Sequence, residues 1–457
     1  MAKIICITSG LTGILNASFE LVARLQSAGH EVVYASPRMV KKRVDQEGIS
    51  FIALPEIKQD VSPDIPVFQG PLRKLKRLYH KLKYAKERRL ATHKNITPNE
   101  FVSMLAKESP DLLIIDVELH EYIFMAYAKK QPFIILSQWF SLWKRKGLPY
   151  LLTDTVPKNG WRGNQLMMDL AWRKVEINRW WTFTKKRFLS AGTDRRSALK
   201  ALAKRVNFPV EAIKDNYWPG PFTYSHVPVL SMTALEMEFP HDPPPHLQYV
   251  GPMVFEGRKE VIPDEKEQAL FHAALTYRKK MGGELIYCSL STLSKGDVQF
   301  IKKLITAVEL MKEWALIISM GGKLRKGGFD EVPSNVFLFS YVPQLKVLSA
   351  ADLSINHGGI HTINECVHFK VPMLVYSGKR SDQNGCAARV AYHQLGLMAD
   401  KDKDDSMAIR QKINEVLTNN VYRQNVAAMH YQCAKYREEA SLEKVIEKSL
   451  KASTKID

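Results

Sequence analysis

The densest chemistry in the sequence lies between Ser340 and Arg389. Tyr341-Val342-Pro343-Gln344 comes first, then His357-Gly358-Gly359-Ile360-His361-Thr362-Ile363-Asn364-Glu365, then Val371-Pro372-Met373, then Asp382-Gln383. A short apolar run ends at Asn356, and a His and two Gly open what the pattern predicts to be a helix. Glycine lets backbone come close to a ligand, and free N–H groups at a helix start attract phosphate. His357 and Thr362 add side-chain donors, and Glu365, a turn further on, can accept hydrogen bonds from a ribose diol. Asp382-Gln383 offers a pair of polar forks suited to sugar hydroxyls. In a parallel sheet all these residues would fall at the carboxyl ends of strands, where ligands sit.

The elements that must position them are legible as apolar runs. Lys3–Ser9, Glu31–Ser36, Asp111–Asp116 and Gln131–Ser137 are short and nearly continuous, as parallel strands buried on both faces should be. Glu284–Ser289, Ala315–Ser319, Val336–Phe339, Leu353–Asn356 and Pro372–Tyr376 repeat the plan in the second half. Phe19, Leu21, Val22 and Leu25 recur at helical spacing up to Gly29, a stop signal. Strands separated by helical stretches predict the α/β class, as two doubly wound, Rossmann-like halves. The predicted divisions are a first domain over 1–239, a linker over 240–262, a second domain over 263–435, and a last helix over 436–457 that returns to the first domain. The linker holds Pro243-Pro244-Pro245 and Gly251-Pro252, a composition that reads as an extended crossing rather than packed sheet. At 457 residues the chain exceeds the roughly 250–300 at which single cores stop growing.

Two insertions stand out, over about 59–100 and 141–200. The first contains the basic run 71–90, with Leu72, Leu75, Leu78, Tyr79 and Leu82 on one helical stripe. The second holds Trp143, Trp161, Trp172, Trp180 and Trp181 among many Lys and Arg. Basic faces set against Trp, Tyr and Leu are what interfacial helices need; the other reading is a solvated face with its Trp residues in a core or pocket. A net charge of +19, from 66 Lys and Arg against 47 Asp and Glu, favours anionic partners such as nucleotides or anionic lipid. Nucleic acid is not expected, because no zinc-finger spacing or RNP-like aromatic run is present. Five scattered cysteines without a CxxC pair argue against a disulfide framework and a zinc site. With no apolar run of about 18 residues, and too short an apolar start for a secretory signal, the expected location is cytoplasmic, with peripheral contact to the inner membrane face.

The stretch Ser340–Arg389 closely resembles the donor-binding signature of the UDP-glycosyltransferase superfamily, the family 1 glycosyltransferases of GT-B fold. There the pattern is aromatic-x-Pro-Gln, His-x-Gly-x-x-(Ser/Thr)-x-x-Glu, x-Val-Pro and Asp-Gln, and every anchor is present here at matching spacing. The run Asp382–Arg389 is most similar to bacterial zeaxanthin glucosyltransferase-like members. The resemblance implies two Rossmann-like domains facing across a cleft, an acceptor site in the first and a UDP-sugar site in the second. It further implies that Tyr341 stacks on the uracil, Val342 reads it through its backbone, and Gln344 and Glu365 hold the ribose. His357, Gly359 and Thr362 would hold the diphosphate, together with the hydroxyl residues Ser291 and Thr292 of a strand-turn, and Asp382 and Gln383 would hold the sugar. Neither a metal nor a cofactor is expected, since no Asp-x-Asp pair lies within this stretch.

The pattern breaks at the acceptor base. Family members carry a catalytic His just after the first strand, and here Ile14 stands at that place, with His30 the first His in the chain. The family's orienting Asp matches Asp116. An inverting displacement onto a hydroxyl needs a proton acceptor, and four accounts stay open: His120 as a relocated base, Asp116 acting directly, an acceptor already acidic, or a homologue that binds nucleotide sugar without catalysis. The expected function is transfer of a hexose from UDP, glucose first, to a lipophilic small molecule; a basic membrane- or nucleic-acid-binding protein on the same fold is the alternative.

Overall fold

The computed structural model describes residues 1–55, 60–216, 218–262, 264–289, 295–321, 329 and 332–453. Seven strands form the first sheet: β1 (Lys3–Ile7), β2 (Glu31–Pro37), β3 (Ser50–Leu54), β4 (Leu112–Asp116), β5 (Phe133–Ser137), and, after a two-stranded antiparallel ribbon of β6 (Ile213–Asp215) and β7 (Phe222–Tyr224), β8 (Val229–Ser231) and β9 (Leu247–Tyr249). Their order is β3-β2-β1-β4-β5-β8-β9, and all pairs are parallel. The second sheet contains β10 (Glu284–Ser289), β11 (Trp314–Ser319), β12 (Val336–Phe339), β13 (Leu353–Asn356), β14 (Met373–Tyr376) and β15 (Gly396–Ala399). It runs β12-β11-β10-β13-β14-β15, again parallel throughout. Each order reverses beside its first strand, the doubly wound plan whose ligands sit at that reversal.

The strands are buried because both faces of each sheet are covered. All five residues of β4 are buried, as are those of β12 and β14. The helix Thr12–Ser27 covers one side of the first sheet with Leu15, Phe19, Val22 and Leu25, and the chain then turns at Gly29 with φ +86°.

Two features cut across the predicted divisions. The Pro-rich segment 240–262 is not solely a crossing: β9 within it pairs with β8 as the edge strand of the first sheet. The three prolines precede β9 and leave its N–H groups untouched, and an edge position tolerates them. In addition Phe140, Leu142, Leu151, Ala234 and Met237, from the first 239 residues, pack in one cluster with Phe339, Ile363 and Ala387 of the second domain. The last helix, Ser441–Ser453, crosses to the first domain, where Leu442 and Ile446 join Ile4 and Phe19 and where Glu443 accepts two hydrogen bonds from Arg24 at 3.0 and 2.8 Å. Among the described residues no helix is long and apolar enough to cross a membrane.

Candidate functional site

β13 ends at Asn356, whose Oδ1 accepts the N–H of Gly358 at 2.9 Å. Gly358 has φ +80°, and a Cβ there would lie 2.9 Å from both the Gln383 carbonyl and the Val375 side chain. Only glycine fits this bend. The helix Ile360–His368 then begins with Gly359 at its cap and no side-chain partner for its first N–H groups, which leaves donors for an anion. The sharp turn therefore aims a helix start into a cleft of about 520 Å³ between the two domains.

Of the residues singled out from sequence, Tyr341, Val342, Gln344, His357, Gly359, Thr362, Glu365, Asp382 and Gln383 all line this cleft. Ser291 and Thr292 lie outside the described residues. Glu365 is buried and accepts hydrogen bonds from the amide of Gln344 and the guanidinium of Arg258. Gln344 in turn accepts from the Ser289 hydroxyl at 3.0 Å. Tyr341 is about two-fifths exposed at the rim, with burial and the nearby Glu260 pushing its phenol up to about 12. Asp382 stands at the N-terminal end of the helix Gln383–Tyr392 and is buried; it accepts from Cys386 Sγ at 3.2 Å and Ser381 Oγ at 3.1 Å, and burial raises its carboxyl above the usual range. Beside it the side-chain amide oxygen of Gln383 is buried close to Gly378 without a hydrogen-bond partner, an acceptor still to be satisfied.

Sequence reasoning missed the residues that reach this cleft from elsewhere. Arg258 comes from the segment read as linker, and no local motif marks it. His361 crosses from the second domain to the first: its Nε2 meets Gln138 Oε1 at 2.7 Å, and a Cβ on Gly13 would come within 2.9 Å of its ring. Burial, then the charge of Arg258, holds His361 down to about 4, so it is neutral near pH 7. The ring thus lies against Gly13, next to Ile14, which is fully buried.

A second cavity of about 880 Å³ opens in the first domain, reached past Leu11, which lines both. Ser9, Glu118 and Leu119 wall it at the carboxyl ends of β1 and β4, and Lys81, Phe183 and Lys186 wall it from the two insertions. Asp116 is fully buried behind it and accepts from the N–H groups of Ser9 at 3.2 Å and Glu118 at 3.1 Å. Burial raises the Asp116 carboxyl above its usual range. His120 lines neither cavity. It is enclosed by Phe222 and Gly220, with Nδ1 2.7 Å from the Tyr224 hydroxyl, and burial followed by the charge of Arg195 lowers its imidazole well below the usual value. The surroundings that hold it neutral also keep it from an acceptor. Glu118, two residues past Asp116, is a carboxylate that does reach the cavity wall; its place at a strand's carboxyl end, where ligands gather, was the available signal.

In the insertions, the helix Arg73–Lys83 has no buried residue, and Leu75 and Tyr79 stand exposed. The helix Gln165–Ser190 buries Trp172, whose indole N–H donates to the Leu148 carbonyl at 2.8 Å, while Trp180 and Trp181 stay exposed.

Residues 305–442 match the family model of the erythromycin biosynthesis protein CIII-like C-terminal domain. Over 165 residues, 36% of this chain, the sequence is 29% identical to an uncharacterised UDP-glucosyltransferase of Bacillus subtilis, YdhE, spanning 40% of that protein. It is 26% identical to the zeaxanthin glucosyltransferase of Pantoea ananas over 207 residues, 45% of each chain. The chain therefore matches less than half the length of these curated relatives. Solved structures extend the likeness to the whole chain: the glycotransferase of kitacinnamycin aligns with TM-score 0.66 over 98% of both chains at 16% identity. The calicheamicin glycosyltransferase CalG4 aligns with TM-score 0.61, over 97% of this chain and 99% of its own, at 16% identity. The architecture is the GT-B fold, and the resemblance to the UDP-glycosyltransferase superfamily read from the sequence is supported by the curated relatives.

Proposed function

We propose that this protein, a relative of the GT-B glycosyltransferases, is an inverting enzyme that moves a hexose from UDP, glucose first, to a lipophilic small molecule. The observation that carries the reading is the interdomain cleft: nine residues of one signature converge on it, and the Leu11 wall it shares with the first-domain cavity gives donor and acceptor a common border. Tyr341 would cover the base and Glu365 with Gln344 the ribose. His357, Thr362 and the start of the helix Ile360–His368 would hold the diphosphate and stabilise its charge as it leaves. Asp382 and Gln383 would fix the sugar hydroxyls. The lipophilic acceptor is supported by the likeness to a zeaxanthin glucosyltransferase and by Met39, Leu54 and Phe183 in the cavity wall. The protein works without metal or cofactor, peripheral to the inner face of an anionic membrane, since the two helices that wall the cavity also carry the exposed Leu, Tyr and Trp side chains on a basic background.

The test is calorimetry and product analysis together. UDP should bind with unchanged affinity in excess EDTA and bind at least tenfold more weakly to E365A; transfer should follow from UDP-hexoses to a panel of apolar alcohols and phenols by mass spectrometry. Binding lost on chelation counts against the metal-free site. UDP binding with no transfer to any acceptor leaves the binding-only homologue, the reading that the buried Ile14 favours.

A further inference from the structure

The first domain offers no imidazole where acceptor chemistry needs a base. Ile14 is buried, His120 is sealed behind the ribbon, and both oxygens of Asp116 already accept backbone N–H groups. His361 faces the donor cleft with one ring nitrogen bonded to Gln138. A group that takes a proton from the acceptor must reach the cavity that would hold it, and three carboxylates line that wall: Asp60, Glu118 and Asp194. Asp194 is used up as a helix cap, accepting from the Ser197 N–H at 3.1 Å and from the hydroxyls of Ser197 at 2.7 Å and Ser190 at 3.0 Å. Asp60 is exposed and closes a turn by accepting the Ser62 N–H at 2.9 Å. Glu118 is different. It is half-buried at the carboxyl end of β4, close to Trp139 of the donor cleft, and its Oε1 is buried with no hydrogen-bond partner.

We infer that Glu118 is the catalytic base that takes the acceptor's proton, an assignment that rests on the glycosyltransferase reading above. In the step, the acceptor O–H bond breaks and its proton passes to a Glu118 carboxylate oxygen. The acceptor oxygen's electron pair forms the bond to the anomeric carbon, and the bond from that carbon to the diphosphate breaks with its pair leaving on the phosphate oxygen. The protonated Glu118 returns its proton to water once product departs.

The electrostatics agree with the geometry. Burial and then the Asp116 charge push Glu118 up to about 8, against the pull of Arg195 and the Trp139 indole. Such a carboxyl is a far stronger base than one in the ordinary range, and its ionised fraction grows as pH rises toward and past 8. The charges that face it are Asp116 on β4, Arg195 held by Glu121 at 2.9 and 2.8 Å, and, around the same cavity, Asp60, Lys81, Asp194, Lys186 and Arg196, the last paired with Asp215 at 2.6 Å.

The experiment compares wild type, E118Q and E118D with an aliphatic alcohol and with an acidic phenol, across pH, with UDP affinity measured alongside. E118Q should lower kcat on the alcohol about 10²–10⁴-fold, the usual worth of a placed base, with KM and UDP affinity within twofold. The wild-type rise of kcat/KM with pH, centred near 8, should vanish in E118Q and persist at lower amplitude in E118D. The phenol, which ionises unaided, should keep most of its rate in E118Q. Turnover of E118Q within twofold of wild type on the alcohol, a loss confined to KM, or an unchanged pH rise overturns the assignment alone. A wild type that transfers to no acceptor overturns the glycosyltransferase reading and this assignment with it.

Discussion

Gln383 and Glu118 mark the two extremes of what single residues disclose. Gln383 belongs to a signature contained within Tyr341–Gln383, and the fold delivers its nine anchor residues to one cleft. Its side-chain amide oxygen is buried without a partner, and leaving such an acceptor unmet by a sugar hydroxyl costs about 1–3 kcal/mol. Gln383→Ala is therefore expected to cut transfer about tenfold while leaving UDP affinity within twofold; steady-state kinetics beside calorimetry reads both, and unchanged transfer would place the sugar elsewhere. Glu118 carries no motif. What distinguishes it is supplied by Asp116, Trp139 and Arg195, residues of three separate segments, and its meaning emerges only when those segments pack. For the same reason Arg258, paired with Glu365, and His361, laid against Gly13, were beyond sequence: each acts on a partner more than 100 positions away.

At the scale of elements, continuous apolar runs such as β4 and β14 were legible because a strand buried on both faces admits little but Ile, Leu and Val. The three-residue strands β8 and β9 were not, since pairing with a neighbour, rather than any pattern of their own, makes them strands. The stripe on the helix Arg73–Lys83 was readable, yet its fate was not: the same spacing serves a core or a surface, and here it faces outward. We propose that the six Lys and Arg on that helix, each worth about 1 kcal/mol near an anionic surface, recruit the protein to anionic membranes. Sedimentation with vesicles of anionic lipid should carry down the wild type at low salt, much less at high salt, and little with neutral lipid. Replacing Leu75, Tyr79, Trp180 and Trp181 by Ser should weaken it at least tenfold. Equal and negligible binding to both vesicles would return these helices to a merely solvated role.

In the molecule as a whole, the domains are joined by more than their linker. Arg389 of the helix Gln383–Tyr392 meets Glu238 of the first half at 2.5–2.8 Å, both side chains buried, and the guanidinium lies 4.5 Å from the ring centres of Phe140 and Phe239. Removing one member of such a pair strands the other charge, so Arg389→Met should cost about 3–5 kcal/mol in urea unfolding. R389M/E238Q, which neutralises the orphan and keeps an acceptor for the Ser141 N–H, should recover a good part; no recovery would mean that packing on the two Phe rings dominates. The crossing of the helix Ser441–Ser453 bears on how the protein is made. Leu442 and Ile446 finish a core whose other members, Ile4 and Phe19 among them, leave the ribosome first. At about 5–20 residues per second the rest of that core, whose members run to Met253, waits roughly 10–40 s for its last piece. Throughout that interval the nascent chain presents an unfinished apolar face, which makes it a client for whatever chaperone meets it at the ribosome.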